Sequence, residues 1–277
     1  MKDNIKNFLK NAGIYYFLQG RYRYILSEIV RIKNKIQYSK YKGSGFKCNI
    51  CESSYSKFIP HYPAKEIEKA IIQNKVVAGF GENIYCPSCG SSARQRLVMA
   101  ALQSLIDING KNILHFSPEK LVFDFLKKRA NVVTADIEPG FYKIIDPKIK
   151  FSDATNLSFQ DEEFDIVIAN HVLEHIPDDR KAMAEFYRVL KKNGLAILQV
   201  PFSTTIPFSL EQPDINDPKM QEELFGQNDH VRIYQLSDYI NRLRHTGFKV
   251  EIIESEKLKT DVSFVFQENE GFILIRK

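Results

Sequence analysis

This chain is short of several things, and each shortage narrows what it can be. Nowhere in its 277 residues is there an uninterrupted apolar run of about 18, the length that a membrane-spanning helix needs. The opening stretch, MKDNIKNFLKNAGIYYFLQG, has neither the continuous apolar core nor the cleavage site of a secretory signal. There is no internal repeat, which argues against a solenoid, and no low-complexity tract. Cysteine is limited to four residues, all in two C-x-x-C pairs. That pattern points to metal binding in a reducing compartment, hence to the cytoplasm, and away from a disulfide framework. The net charge of +5 is too small to specify a partner by itself. Core-forming material is ample: 44% of residues are hydrophobic, over a length that permits one large domain and a small one.

The charge is unevenly placed. Residues 1–42 hold ten Lys or Arg against Asp3 and Glu28, a local net of +8 that leaves −3 for the rest. Ile5, Phe8, Leu9, Phe17, Leu18, Ile25, Ile29 and Ile32 recur there at near-helical spacing, with Tyr15, Tyr16, Tyr22 and Tyr24 between the charges. A basic amphipathic helix of this kind lies on an anionic membrane surface, here the inner face, or packs on its own domain or a second subunit. Residues 1–45 are expected to form such an arm, ending at a hinge-like Lys42-Gly43-Ser44-Gly45.

Next comes a small unit at 46–91. Cys48-Asn49-Ile50-Cys51 is followed, after 34 residues, by Cys86-Pro87-Ser88-Cys89-Gly90. Each pair suits a tight turn whose amides stabilise thiolate charge. Four thiolates match tetrahedral Zn²⁺ and leave no open position, so the expected zinc is structural, with Cys48, Cys51, Cys86 and Cys89 as its ligands. A short helix and strand are expected at 64–77, inside this zinc ribbon. Arg94 and Arg96 flank the second knuckle, to contact a phosphate or to solvate the joint.

From residue 92 the pattern is α/β. Helical spacing at 93–108 precedes strands at 112–117, 132–137, 149–152 and 164–169. The last is a β-branched apolar run suited to a parallel sheet covered on both faces. The helical pattern KAMAEFYRVLKK stops at Asn193-Gly194, before a strand at 195–200. A helix at 236–246 and strands at 248–254 and 271–276 complete the domain, 92–277. Asn170, His171, Glu174 and His175 follow the strand at 164–169, at the carboxyl edge where open α/β sheets bind ligands. H-x-x-E-H at 171–175 also spells a zinc-protease pattern, but a strand precedes it and Pro177 follows, so the required continuous helix is missing. Asp136 falls about 20 residues after the first turn, where two carboxylate oxygens match two adjacent ribose hydroxyls. Residues 201–232 form a long connection containing Pro201, Pro207, Pro213 and Pro218. A loop of that length is usually functional or disordered. Its aromatics and its Asp229-His230-Arg232 cluster favour an acceptor-binding lid, with His230 as a base and Arg232 holding an acceptor phosphate or carboxylate, against the plainer reading of a surface loop.

Three segments in order, D-A-T-N-L-S-F-Q-D-E-E-F-D, V-L-E-H-I-P-D-D and R-V-L-K-K-N-G, resemble the central signature of class I S-adenosylmethionine-dependent methyltransferases of the type-11 branch. The resemblance implies a Rossmann-like seven-stranded sheet with a final antiparallel pair at its edge, S-adenosylmethionine as cofactor, and methyl transfer. The family's first turn carries an acidic residue followed by G-x-G. Here His115-Phe116-Ser117-Pro118-Glu119 puts His115 at the acidic position and Ser117 and Glu119 at the glycines. The implied cofactor residues are His115, Phe116, Ser117, Glu119, Asp136, Ile137, Asp153, Ala154 and Asn170. Asp153 and Ala154 are those at the adenine edge. His171 falls near the transferred methyl, so His171 and His230 are the candidate bases. Relatives of this branch imply a small-molecule, sugar or lipid-linked glycan acceptor. A zinc ribbon ahead of such a domain also resembles certain ribosomal-RNA guanine methyltransferases. Against that, the basic stretch is confined to the arm and no aromatic–basic groove is evident elsewhere. The altered first turn motivates a third reading, a zinc-containing binding module that keeps the fold without the cofactor.

Overall fold

The computed structural model describes residues 14–277, so Ile5, Phe8 and Leu9 of the expected arm lie outside the described residues. Helix α1 (Tyr15–Gln37) comes first. Its inner face packs on the chain's own turn at Pro139–Tyr142, where Tyr16 and Phe141 rings meet at 5.5 Å. Gly20 makes the approach possible, because a Cβ there would stand 2.3 Å from the Phe141 carbonyl oxygen. The outer face leaves Leu18, Tyr22, Ile25, Ile29 and Ile36 exposed.

Two antiparallel pairs follow: β1 (Lys42–Lys47) with β2 (Ser54–Tyr55), and β3 (Ile59–His61) with β4 (Gly81–Tyr85). The expected hinge at 42–45 is therefore a strand. A Cβ on Gly45 would meet the Tyr55 carbonyl oxygen at 2.9 Å, so this glycine serves close strand approach. Over 64–77 the structure has one π-helical turn, Lys69–Gln73, in place of a helix and strand. Helix α2 (Ala93–Ser104) opens with a reciprocal Ser92/Gln95 capping box. It stops short of residue 108, where Asp107 Oδ1 accepts the Asn109 N–H and offers the backbone a turn instead.

The main unit contains β5 (Asn112–Phe116), α3 (Lys120–Leu126), β6 (Asn131–Asp136), β7 (Lys150–Phe151), β8 (Phe164–Ile168), α4 (Asp179–Val189) and β9 (Leu190–Ile197). It continues with β10 (Phe202–Ser203), β11 (Leu210–Glu211), α5 (Pro218–Phe225), β12 (Arg232–Gln235), α6 (Leu236–Thr246), β13 (Lys249–Ile253) and β14 (Phe272–Arg276). Seven strands form one sheet in the order β13-β14-β9-β8-β5-β6-β7. Strands β5 to β9 run parallel, and β14 is antiparallel to both its neighbours. This is the expected Rossmann-like α/β sheet. Adjacent residues of β5 face opposite layers: Leu114 packs with α4 and α6 through Met183, Phe186 and Tyr239, and Ile113 packs with α2 and α3 through Leu97, Val98 and Val122. From β5 the chain goes to β6 on one side and β8 continues on the other. That reversal opens a crevice at the carboxyl edge.

Further parts of the main unit differ from the sequence reading, and β9 runs 190–197 where 195–200 was expected. Helix α4 ends at Val189, before Asn193-Gly194. Lys191 Nζ lies 3.0 Å from Asp165 of β8, and Leu190 pairs with Phe164, so sheet pairing overrides the local stop signal. The connection at 201–232 is also more ordered than a loop. Its β10 and β11 flank β12 in a small sheet, and α5 is capped by the Asp217 carboxylate. Among the described residues, no helix is long and apolar enough to cross a membrane.

Candidate active site

The cysteines sit on two similar turns, in which Glu52 N–H bonds the Cys48 carbonyl and Gly90 N–H bonds the Cys86 carbonyl. Cys48 and Cys89 sulfurs are 3.7 Å apart, as are those of Cys51 and Cys86. All four lie within 4.8 Å of one another. A tetrahedral metal with bonds of about 2.3 Å to sulfur gives sulfur–sulfur edges of about 3.8 Å, whereas a disulfide would bring two sulfurs to about 2.0 Å. The donor set therefore fits tetrahedral zinc and offers no open position. Arg96 is wholly buried behind it and donates to the carbonyls of Asn83, Ile84, Ser91 and Val265. The expectation that Arg96 solvates the joint or binds phosphate is corrected: it ties the ribbon to the main unit.

At the end of β5, Ser117 holds φ at +49°, the left-handed region that glycine prefers. Its N–H bonds the Ala135 carbonyl at 2.9 Å and its Oγ donates to Asp136 Oδ2 at 2.5 Å, so the glycine-like turn survives without glycine. Asp136 Oδ1 also accepts the Glu138 N–H at 2.6 Å. Burial pushes the Asp136 carboxyl upward, against these two hydrogen bonds. Ile137 beside it is 53% exposed. His115 is buried beneath the edge and accepts the Glu119 N–H on Nε2, which leaves the proton on an unpartnered Nδ1. Burial lowers its pKa to about 3, so the ring is neutral. The Phe116 ring lies in the core against Phe186. Asp153 Oδ1 accepts from Thr155 N and Oγ1, both at 2.8 Å, and Ala154 is buried next to it. Asn170 Nδ2 donates to Glu119 Oε2 at 3.0 Å, linking the turns after β5 and β8, while its Oδ1 is buried without a partner. The edge thus brings Ser117 to Asp136 and Glu119 to Asn170.

A cavity of about 370 Å³ adjoins Glu119. Its wall includes both expected bases, His171 and His230, together with Glu174 and His175, the Pro201 and Gly226 ends of the long connection, and Phe80, Tyr85 and Arg94 from the ribbon side. His171 holds φ at +54°, and its Nδ1 lies 3.5 Å from Glu174 Oε1. Burial lowers the pKa of His171 and takes that of His230 to about 4, so both rings are neutral near pH 7. Arg232 is corrected as an acceptor ligand. Its guanidinium is buried and donates to Glu211 and to the carbonyls of Leu173, Ile176 and Pro177, clamping the turn that carries Glu174. Arg94 Nε stands 3.8 Å from Glu270 and has no hydrogen-bond partner. Sequence reasoning placed Glu174 and His175 at the ligand-binding edge but gave them no specific role. Phe80 and Tyr85 had no local signal at all.

Residues 118–198 match the methyltransferase domain family. The chain is 35% identical over 83 residues to demethylmenaquinone methyltransferase of Clavibacter sepedonicus, covering 27% of this chain and 34% of that one. It is 45% identical over 51 residues to an uncharacterised protein of Haemophilus influenzae, covering 18% and 20% respectively. It thus spans a fifth to about a third of the length of these relatives. Among solved structures, an S-adenosylmethionine-dependent methyltransferase from Mesorhizobium loti aligns with a TM-score of 0.45 at 14% identity, over 67% of this chain and 98% of that one. The [4+2]-cyclase SpnF aligns with a TM-score of 0.44 at 15% identity, over 72% and 67%. The matched segment, set in the strand order above, makes this a chain built on the class I methyltransferase fold.

Proposed function

We propose that the protein is an S-adenosylmethionine-dependent methyltransferase for a small-molecule, sugar or lipid-linked glycan acceptor, with a structural Zn²⁺ on its four cysteines. The observation that carries this is the pairing of a glycine-like Ser117 turn with the Asp136 carboxylate at the carboxyl edge. Each Asp136 oxygen accepts one hydrogen bond and keeps a lone pair for a ribose hydroxyl. The unpartnered Asn170 Oδ1 and the Glu119 carboxylate supply acceptors for an ammonium group. Ile137 offers an exposed apolar contact to the adenine, with Asp153 and Ala154 at its edge. The bound cofactor supplies a methyl group on an already reactive sulfonium, so the chain mainly positions the partners. Neutral His171 or His230 takes the proton from an O or N acceptor in the cavity. Arg94 suits an acidic group on that acceptor.

In this reading 1–45 is an accessory arm, 46–91 a zinc ribbon that walls the acceptor cavity, and 92–277 the transferase domain. The outward apolar residues of α1, interleaved with Arg21, Lys33 and Lys35, favour contact with an anionic membrane surface. Loss of the two glycines favours the competing reading, a non-catalytic binding module, but the preserved turn geometry weighs against it. Calorimetric titration of S-adenosylmethionine and S-adenosylhomocysteine into zinc-loaded protein tests the choice. Micromolar-range binding, lost in Asp136→Ala, is expected. No heat and no thermal shift would leave the binding module.

A further inference from the structure

Glu174 and His175 lie on the turn after β8, and His230 lies just before β12. One ligand atom from each falls within 4.8 Å of the others. All three line the acceptor cavity. Glu174 is 1% exposed, and its Oε2 is buried with no hydrogen-bond partner. A buried carboxylate oxygen without a donor is costly, and a cation is the usual remedy. His175 is held from behind. His175 Nδ1 lies 3.2 Å from the Asp229 carbonyl oxygen and 3.3 Å from its carboxylate, which leaves Nε2 available as a ligand. This backing is what metal-bound imidazoles normally have. His230 packs edge-on against the His175 ring at 4.6 Å. Arg232 bonds three carbonyls of the 173–177 turn, and Val231 N–H bonds the Glu174 carbonyl at 3.0 Å, so the two stretches are fixed together.

We propose that Glu174, His175 and His230 bind a divalent first-row transition ion, and that its remaining positions take two neighbouring oxygens of the methyl acceptor. Two imidazoles and one carboxylate suit manganese, iron, cobalt or zinc better than magnesium or calcium, which favour all-oxygen sets. Three protein ligands leave open positions, unlike the closed cysteine set. The acceptor half of the proposal rests on the methyltransferase reading. It narrows the acceptor to a chelating one, such as a vicinal diol or a hydroxy-ketone. The ion makes the acceptor hydroxyl more acidic. Its proton passes to His171, the freed oxygen pair forms the bond to the methyl carbon, and the carbon–sulfur pair stays on sulfur as neutral S-adenosylhomocysteine.

Manganese titration of the full chain carrying one zinc per chain by metal analysis, the number that the four cysteines hold, followed by the paramagnetic resonance of free Mn²⁺, tests the site, because Mn²⁺ prefers N and O donors to thiolates. One ion per chain is expected, with binding weakened at least roughly tenfold in Glu174→Gln and in His230→Asn. His175→Gln, at a ring about a quarter exposed, replaces either variant if its circular dichroism shows misfolding. Absence of stoichiometric Mn²⁺ binding, or unchanged binding in the folded variants, overturns the site. Cofactor calorimetry is run separately. Metal binding without cofactor binding keeps the site and removes the acceptor assignment.

Discussion

The cysteine ribbon and the carboxyl edge treat buried polar groups differently. Behind the cysteines, Arg96 places its guanidinium on four carbonyls, and all four sulfurs converge on one point. At the edge and its cavity, Arg94 Nε, His115 Nδ1, Ser152 Oγ, Asn170 Oδ1, His171 Nδ1 and Glu174 Oε2 are buried without hydrogen-bond partners, six of the eight such atoms among the described residues, against one, Asn49 Oδ1, in the ribbon. Unpaired buried polar atoms lower stability, so their concentration in one place is informative. The ribbon is closed on itself and acts as a wall. The edge is built to be completed by something else.

The largest test of that contrast is removal of zinc. Structural zinc in small domains contributes about 10–16 kcal/mol of apparent binding energy, so chelation or Cys86→Ser should abolish hydrogen-exchange protection over 46–91 while the sheet keeps its own. Retained protection in the ribbon would break the comparison. Next is Arg96→Met. It leaves four carbonyls without their donor, and denaturant unfolding should show a loss of about 3–5 kcal/mol. The edge also separates by pH. Folded His115 is held down to about 3 and His230 to about 4, both by burial. In the unfolded chain both rings titrate near 6.5, so the unfolded state binds the extra protons below that pH. Stability is therefore full above about pH 6.5 and falls as pH drops toward 4, by up to about 1.4 kcal/mol per unit for each ring. Replacing His115 by Leu should remove close to one proton from the measured uptake. At the low end, the exposed Lys219–Glu223 pair on α5 serves as control, and Lys219→Ala should change stability by less than about 0.5 kcal/mol.

The same contrast explains what could be read in advance. The four cysteines lie in two local motifs, so spacing alone exposed their convergence. Strand β8 was visible as an apolar run, and Asp136 by its distance from the first turn. The cavity was not legible, because Phe80 and Tyr85, Glu174 and His175, and His230 meet only after the ribbon and the long connection have packed on the sheet. Arg96 and Arg232 were misread because a buried arginine satisfied by carbonyls has the same local sequence as an exposed one. The end of α4 was misplaced because the Lys191–Asp165 pair, a long-range contact, outweighs a local Asn-Gly stop. Ser117 looked like the loss of a glycine, but the chain keeps a positive φ there and puts the hydroxyl to use on Asp136.

The most direct measurement is a crystal structure of the full chain grown with S-adenosylhomocysteine. The account predicts ribose hydroxyls on Asp136, the amino group at Asn170 Oδ1 and Glu119, and the sulfur facing the cavity that holds His171. Density for the ligand elsewhere, or an edge left empty at saturating ligand, would contradict it.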